Sequence, residues 1–251
     1  MLRPRIIPVL LVRDGALVKT RAFGKHAYIG DPLNAVHIFN DLRADELVFF
    51  DVLASPQRRC ISVELVKAIG EEAQMPFAVG GGIRTLEQIR ALLGAGAEKV
   101  VIGTHAVEEP GFVGEAARHF GSSTIVVCID VKKTWLGKER TWTMRGTKSS
   151  VYEPEAFARL MEQEGAGEVI VQSIERDGAM AGYDLDLVGR ISRAVTIPVI
   201  ALGGAGNLQH MRQAFHEAKA SALAAGSLFV FQGPQRGVLI NYPERPERAF
   251  T

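Results

Sequence analysis

Asp130 ends an apolar, β-branched run, Thr124-Ile125-Val126-Val127-Cys128-Ile129. A carboxylate at the tip of a strand is a candidate general acid or base. The alternative is a structural carboxylate paired with Lys132 or Lys133 just beyond it. Elsewhere the sequence holds the parts of an anion pocket. Gly80-Gly81-Gly82 follows a predicted strand and precedes a helix beginning near Thr85, and Gly103-Thr104 follows the next strand and adds a hydroxyl. Gly203-Gly204-Ala205-Gly206 and Gly226-Ser227 repeat the device. Glycine lets the backbone close on an anion, and a helix N-terminus offers free N–H groups at the positive end of its dipole. One such turn says little, because tight βα turns use glycine for steric reasons alone. Two related copies point to phosphate sites, one at Gly81, Gly82 and Thr104 and one at Gly203, Gly204, Gly226 and Ser227. Two sites on one mouth suit a ligand with phosphates at both ends. Asp51 ends another predicted strand, and Asp177-Gly178 follows a further one. With Lys19, Gln172 and Ser173 they complete a candidate substrate pocket, although Asp-Gly is also an ordinary turn.

These copies belong to a longer repeat. Val79-Gly80-Gly81-Gly82-Ile83 reads like Leu202-Gly203-Gly204-Ala205 at an offset of 123 residues, and Ala44-Asp45-Glu46-Leu47-Val48 matches Ala166-Gly167-Glu168-Val169-Ile170 at 122. Ile7-Pro8-Val9-Leu10-Leu11-Val12 matches Val126-Val127-Cys128-Ile129-Asp130-Val131 at 119. The halves run over about 1–122 and 123–231, with an atypical tail over 232–251. Where the second half has Asp130, the first half has Leu11. An ionisable side chain has given way to an apolar one at the position where chemistry is expected.

Arg5, Glu46, Lys99 and Glu168 form a different set. Each begins a predicted strand, at the opposite end from the glycine turns. Charges inside a barrel are costly unless paired, and two cations with two anions can close into a neutral ring across its floor. The alternative is that they face solvent or helices.

The elements that must position these groups alternate along the chain. Strands are predicted over 6–12, 47–52, 77–79, 99–102, 124–129, 169–173, 199–201 and 222–225. Near-continuous hydrophobicity is what parallel strands covered on both faces require. Helices are predicted over 33–42, 61–72, 86–93, 111–119, 155–164, 185–194 and 208–218. Eight strands, intervening helices and a repeated half give an α/β fold, a single (β/α)8 TIM barrel over 1–251. A doubly wound open sheet explains two equal halves less well. Two long connections, 13–31 and 132–153, fall after strands, on the face where such barrels build their sites. Gln232-Gly233-Pro234 breaks the chain, and Val238-Leu239-Ile240-Asn241-Tyr242-Pro243 does not read as a long final helix, so the last helix is expected to be short or absent.

Composition narrows the partners. The net charge is +1 and there is no basic run, which argues against nucleic acid and anionic membranes. Cys60 and Cys128 have no metal or redox spacing, and buried thiols in a reducing cytoplasm are expected. No metal or cofactor is expected. Met1-Leu2 opens an apolar start that superficially resembles a signal peptide, but Pro8 interrupts it and Asp14-Gly15 ends it as a turn would end a strand.

Taken together, these segments resemble the cyclase subunit of imidazole glycerol phosphate synthase (HisF). The resemblance rests on Arg5-Ile6-Ile7-Pro8, Gly30-Asp31-Pro32, Ala44-Asp45-Glu46-Leu47-Val48-Phe49, Val79-Gly80-Gly81-Gly82-Ile83-Arg84, Gly94-Ala95-Gly96-Ala97-Glu98-Lys99-Val100, Ile129-Asp130, Arg176-Asp177-Gly178 and Gly203-Gly204-Ala205-Gly206. It implies a barrel that docks a HisH-like glutamine amidotransferase on its N-terminal face. Ammonia released there passes through the barrel to the opposite mouth, where a phosphorylated small molecule binds. It also implies that Arg5, Glu46, Lys99 and Glu168 are the gate of that passage.

The departures carry equal weight. The family's cyclase uses aspartates on the first and fifth strands, and here the first is Leu11. The family usually has threonine at the position of Gln172 and asparagine at that of Gly103, and a C-terminal helix in place of the tail. These differences resemble the paralogous glycosyl amidation-associated branch found in surface-polysaccharide gene clusters, which implies delivery of ammonia to a sugar amidotransferase. Three readings follow. The first is an ammonia-channelling subunit for amidating a sugar of lipopolysaccharide or another surface glycan. The second is a working cyclase of histidine biosynthesis, with Leu11 compensated elsewhere. The third is a scaffold that binds a phosphorylated ligand without catalysis.

Overall fold

The computed structural model describes residues 3–233, 235–244, 246–248 and 250; Met1, Leu2 and Pro234, named above, lie outside the described residues. Eight parallel strands form the centre: β1 (Arg5–Arg13), β2 (Leu47–Asp51), β3 (Phe77–Gly80), β4 (Lys99–Ile102), β5 (Ile125–Lys133), β6 (Glu168–Ser173), β7 (Val199–Leu202) and β8 (Ala222–Ala225). Each pairs with the next, β8 pairs with β1, and the sheet closes. The chain is therefore a (β/α)8 barrel, with β1–β4 drawn from the first half of the repeat and β5–β8 from the second.

Among the described residues seven longer helices wrap it, α1 (Pro32–Asp41), α2 (Val63–Glu72), α3 (Leu86–Gly94), α4 (Gly111–Phe120), α5 (Pro154–Gln163), α6 (Leu185–Ala194) and α7 (Leu208–His216), with a short turn of helix over Thr104–Glu108. Local chemistry sets where they begin. Side chains of Asp31, Ser62, Thr85, Asp184 and Asn207 each accept a backbone N–H at the first turn, and Thr85 forms a reciprocal capping box with Gln88. The Ser62 cap is why α2 starts at Val63 and not at Ile61.

The apolar residues of β1 alternate between two cores, as a period of two requires. Ile6, Leu10 and Val12 pack outward beneath the helices, whereas Ile7, Val9 and Leu11 fill the barrel interior with Val48, Ala78 and Val101.

Both long connections are folded. Ala16–Lys19 returns antiparallel along β1 and pairs with Ala27–Gly30. β5 runs on to Lys133 and turns back as Glu139–Thr143, which pairs with Lys148–Ser149. Both extensions lie at the C-terminal mouth. After β8 there is one short helical turn, Ser227–Val230, followed by a small ribbon of Phe231–Gln232 with Gly237–Val238. The tail then crosses beneath the barrel. The buried Tyr242 hydroxyl donates to the carbonyl of Ile6 (2.8 Å) and accepts the N–H of Asp45 (3.0 Å). Arg248 lies over the Tyr242 ring and contacts Asp45 at 2.9 Å. Among the described residues no helix is long and apolar enough to cross a membrane.

Candidate functional site

At the C-terminal mouth the strand ends surround a cavity of about 880 Å³, counted to its open rim. Leu11, Asp130, Gly81, Gly82, Thr104 and Gln172 all line it. Asp130 projects from β5, opposite Gln172 on β6 in register. Among the described residues it pairs with neither neighbouring lysine: Lys132 sits over the Trp142 ring, and the only side chain bonded to Asp130 is Cys128, whose thiol donates at 3.5 Å. Desolvation is the main influence on its carboxyl and raises the pKa to about 7; the Cys128 thiol pulls the other way, and Asp177 adds a smaller upward push. A group half-protonated near neutrality can both give and take a proton. Leu11 is buried, in register with Phe50 and Val18, and has no proton to offer. Asp130 and Leu11 thus line one cavity, a titratable carboxyl and a side chain that cannot transfer a proton.

The two glycine turns are built alike but face different surroundings. In the first, Gly82 adopts φ +64°, and a Cβ there would come within 1.8 Å of the Arg59 carbonyl oxygen. The Thr104 hydroxyl accepts the N–H of Met144 from the β5 hairpin (3.2 Å). This turn opens directly into the cavity. In the second, Gly203 and Gly204 have φ +92° and +108°. A Cβ on Gly226 would meet the Lys19 ammonium at 2.3 Å, so only glycine leaves room for that cation. The Ser227 hydroxyl beside it is buried and has no partner. A buried cation, an orphaned hydroxyl and a glycine turn are the chemistry of an anion cradle. The cavity lining stops short of this second turn, which lies against Lys19.

The other pocket candidates separate by role. Lys19 is buried 3.8 Å from Asp177; burial lowers its pKa and Asp177 opposes the shift. Asp177 also accepts from the Thr20 hydroxyl (2.9 Å), and its carbonyl accepts the Ala22 N–H (2.9 Å), so it pins the β1 connection over the mouth. Asp51 borders the cavity, but Arg59 holds both of its oxygens (2.5 and 3.2 Å) and the N–H groups of Leu53 and Ala54 bind one of them. Its carboxylate fixes the loop after β2. Ser173 is buried where β6 ends, its carbonyl close against Gly203.

At the opposite end, Arg5, Glu46, Lys99 and Glu168 close into one ring. Arg5 reaches Glu46 at 2.6 Å and Glu168 at 2.9 Å, and Lys99 reaches the same two carboxylates at 3.5 and 3.2 Å. Each cation meets both anions. Burial raises the Glu46 pKa against the pull of Arg5 and Lys99, and one Glu168 oxygen is left without a partner.

Sequence reasoning missed three parts of this arrangement. Arg145 enters the cavity lining from the hairpin turn, and nothing in its local pattern separates it from other loop cations. Tyr242 and Arg248 brace the floor from a tail whose sequence has no regular period. Asp45 is their anchor; its place next to Glu46 was visible, its bonds were not.

The histidine biosynthesis protein family matches residues 5–233, ending before the tail. A Leptospira interrogans protein, named provisionally as imidazole glycerol phosphate synthase subunit HisF, is 42% identical over 249 residues, covering 99% of this chain and 98% of the relative. A Vibrio vulnificus protein with a similarly provisional name, hisF3, is 43% identical over 249 residues, 99% of this chain and 96% of its own. Coverage of 99% necessarily takes in the tail. The imidazole glycerol phosphate synthase subunit HisF of Alkaliphilus metalliredigens is 44% identical over 229 residues, 91% of each chain.

Proposed function

Since the chain belongs to the histidine biosynthesis protein family and is a HisF-like synthase subunit, we propose that it receives ammonia from a HisH-like glutaminase on its N-terminal face and passes it through the barrel for amidation of a sugar in surface-glycan biosynthesis. The charged ring is the entrance. Beyond it lie Ile7, Val48, Ala78, Val126 and Ile170, an apolar interior that disfavours ammonium and tolerates neutral ammonia. The exit is the mouth beside Asp130, where the first glycine turn, and the cradle of Lys19, Gly226 and Ser227, hold a phosphorylated molecule.

Leu11 is the observation that carries the reading. Proton transfer by a positioned side chain typically contributes about 10²–10⁴ in rate. Here Asp130 faces leucine across the mouth, and the other carboxylate lining the cavity among the described residues, Asp51, is engaged by Arg59. The test supplies purified protein with ammonia and the ribonucleotide substrate of the histidine-pathway cyclase. Little or no cyclisation is expected, whereas a cognate glutaminase, once mixed with the chain, should hydrolyse glutamine faster. Robust cyclisation by the wild type refutes the amidation reading in favour of a working cyclase. That second reading draws on the Asp130 pKa near neutrality, the two retained glycine turns and the name of the Alkaliphilus relative.

A further inference from the structure

Two arginines converge on one imidazole at the rim of the mouth. His26 lies in the connection after β1, Arg13 ends β1, and Arg145 comes from the turn of the β5 hairpin. Arg13 Nη1 is 3.0 Å from His26 Nδ1, and Arg145 Nη2 is 3.2 Å from His26 Nε2. Arginine only donates, and a neutral imidazole has one acceptor nitrogen and one N–H. At most one of the two contacts is therefore a hydrogen bond; the other sets two donors against each other. Protonation would remove the remaining acceptor. It is also disfavoured, because burial first, then Arg145 and Arg13, hold the His26 pKa below its ordinary value. Carboxylates do not resolve the conflict. Asp14 touches Arg13 at 3.4 Å on an exposed edge, and among the described residues Arg145 has no carboxylate within 4.0 Å.

The backbone that presents Arg145 is a second, independent sign. Met144, Arg145 and Gly146 have φ of +51°, +59° and +70°. Consecutive left-handed non-glycine residues are uncommon, and they persist where surrounding contacts over-determine them, often at ligand clamps. Two contacts do so here. The Met144 N–H donates to Thr104 Oγ1 in the first glycine-turn site, and Arg145 Nη2 donates to the carbonyl of Phe23 (3.2 Å). The Arg145 side chain also lines the cavity shared by Gly81, Gly82 and Asp130.

We propose that Arg13, His26 and Arg145 form an oxyanion subsite at the rim of the mouth, so that the ligand carries a further anionic group, a carboxylate or a phosphate, apart from those held by the glycine turn at Gly81, Gly82 and Thr104 and by the Lys19 cradle. The placement of those groups rests on the reading given above; the rim subsite itself does not. A bound oxyanion supplies the acceptor that the cluster lacks. It takes N–H groups from both guanidiniums and leaves His26 one satisfied contact on each nitrogen.

The test follows the His26 ring nitrogens by NMR in the full chain while inorganic phosphate, and separately acetate, is added at constant ionic strength. A saturable shift of the His26 ring is expected with at least one of them. Arg145→Gln and, independently, Arg13→Gln should weaken it about tenfold or more, the effect of losing a charge-assisted hydrogen bond. A response to both ions assigns the subsite to any oxyanion, and a response to one names its class. A His26 ring unmoved by either ion overturns the proposal, even if the amides of Gly81–Thr104 shift and the phosphate reading survives. A shift at His26 with silent glycine-turn amides keeps the subsite and refutes the phosphate reading of that turn.

Discussion

Replacing Lys99 with methionine removes one cation from the ring and keeps most of the side chain's length. Lys99 contacts Glu46 at 3.5 Å and Glu168 at 3.2 Å; after its loss the two carboxylates share Arg5 alone, at 2.6 and 2.9 Å. Removing one partner of a buried pair costs about 3–5 kcal/mol. Here Arg5 still compensates both anions, and its side chain keeps 32% of its exposure, so solvent screening brings the expected cost to about 2 kcal/mol. In a chain of this size each kcal/mol moves Tm by about 2–4 °C, so Lys99→Met should melt about 4–8 °C lower at pH 8. The sign of the pH dependence follows from Glu46. Its folded pKa lies above its ordinary value of 4.5, chiefly through burial, with Arg5 and Lys99 opposing. A raised carboxyl contributes stability that is complete below the unfolded pKa and lost as pH rises through the folded one. Losing Lys99 raises that pKa further, so the deficit should be small near pH 4 and grow through the carboxylate range. Scanning calorimetry of both proteins across this range decides the matter. Equal melting at pH 8, or a deficit larger at pH 4 than at pH 8, would mean that the four charges do not act as one ring. In the presence of a coupled glutaminase, the same variant should also release more free ammonia per glutamine hydrolysed.

Asp130→Asn should gain stability over the wild type as pH rises. The folded pKa is about 7 against an ordinary 3.8, so the destabilisation that ionisation brings sets in across that window; unfolding free energies from urea titrations should agree near pH 3.5 and differ by roughly 1–3 kcal/mol at pH 8. Tyr242→Phe keeps the ring packing and leaves the Asp45 N–H and the Ile6 carbonyl unpaired, which should cost about 2 kcal/mol and speed hydrogen exchange at the Asp45 amide. Leu11→Asp should lower stability by about 1–3 kcal/mol and, by like-charge repulsion, raise the Asp130 pKa further. If the missing carboxylate is what silences cyclisation, this variant should turn over measurably with ammonia where the wild type does not.

The fold was legible because the strands are buried on both faces and the half-barrel repeats, so apolar runs and glycine turns recur together. β4, α6 and β8 have the bounds that their patterns predict. The extensions after β1 and β5 were not foreseen as sheet, since their strands are short, partly exposed and lack apolar alternation. The ring was readable as a set of charges at strand starts, although only coordinates could show that each cation meets both anions. Asp51 borders the cavity, as its place at a strand end suggests, but its engagement by Arg59, eight residues on, was not readable, because loop side chains of this sort have no periodicity to reveal them. Arg145 and His26 were invisible for the same reason.

The two ends of the barrel therefore answer to different constraints. At the floor, four charges are only partly solvated, and each is compensated by the others, so the arrangement tolerates no single loss cheaply. The tail adds to this. Tyr242 bonds Ile6 and Asp45, the residues next to Arg5 and Glu46, and so ties the start of β1 to the approach of β2 at the very place where a cation and an anion of the ring must meet. A tail that braces the charged ring can do so without a regular eighth helix. At the mouth, by contrast, Leu11 packs among apolar neighbours, and the charged groups are a carboxyl with a pKa near neutrality, a cation held against Gly226, and a pair of arginines with one acceptor between them. If the ring is the entrance and the mouth the exit proposed above, a floor fixed this closely and a mouth whose one unengaged carboxyl faces leucine suit delivery of a reagent better than a two-group proton transfer.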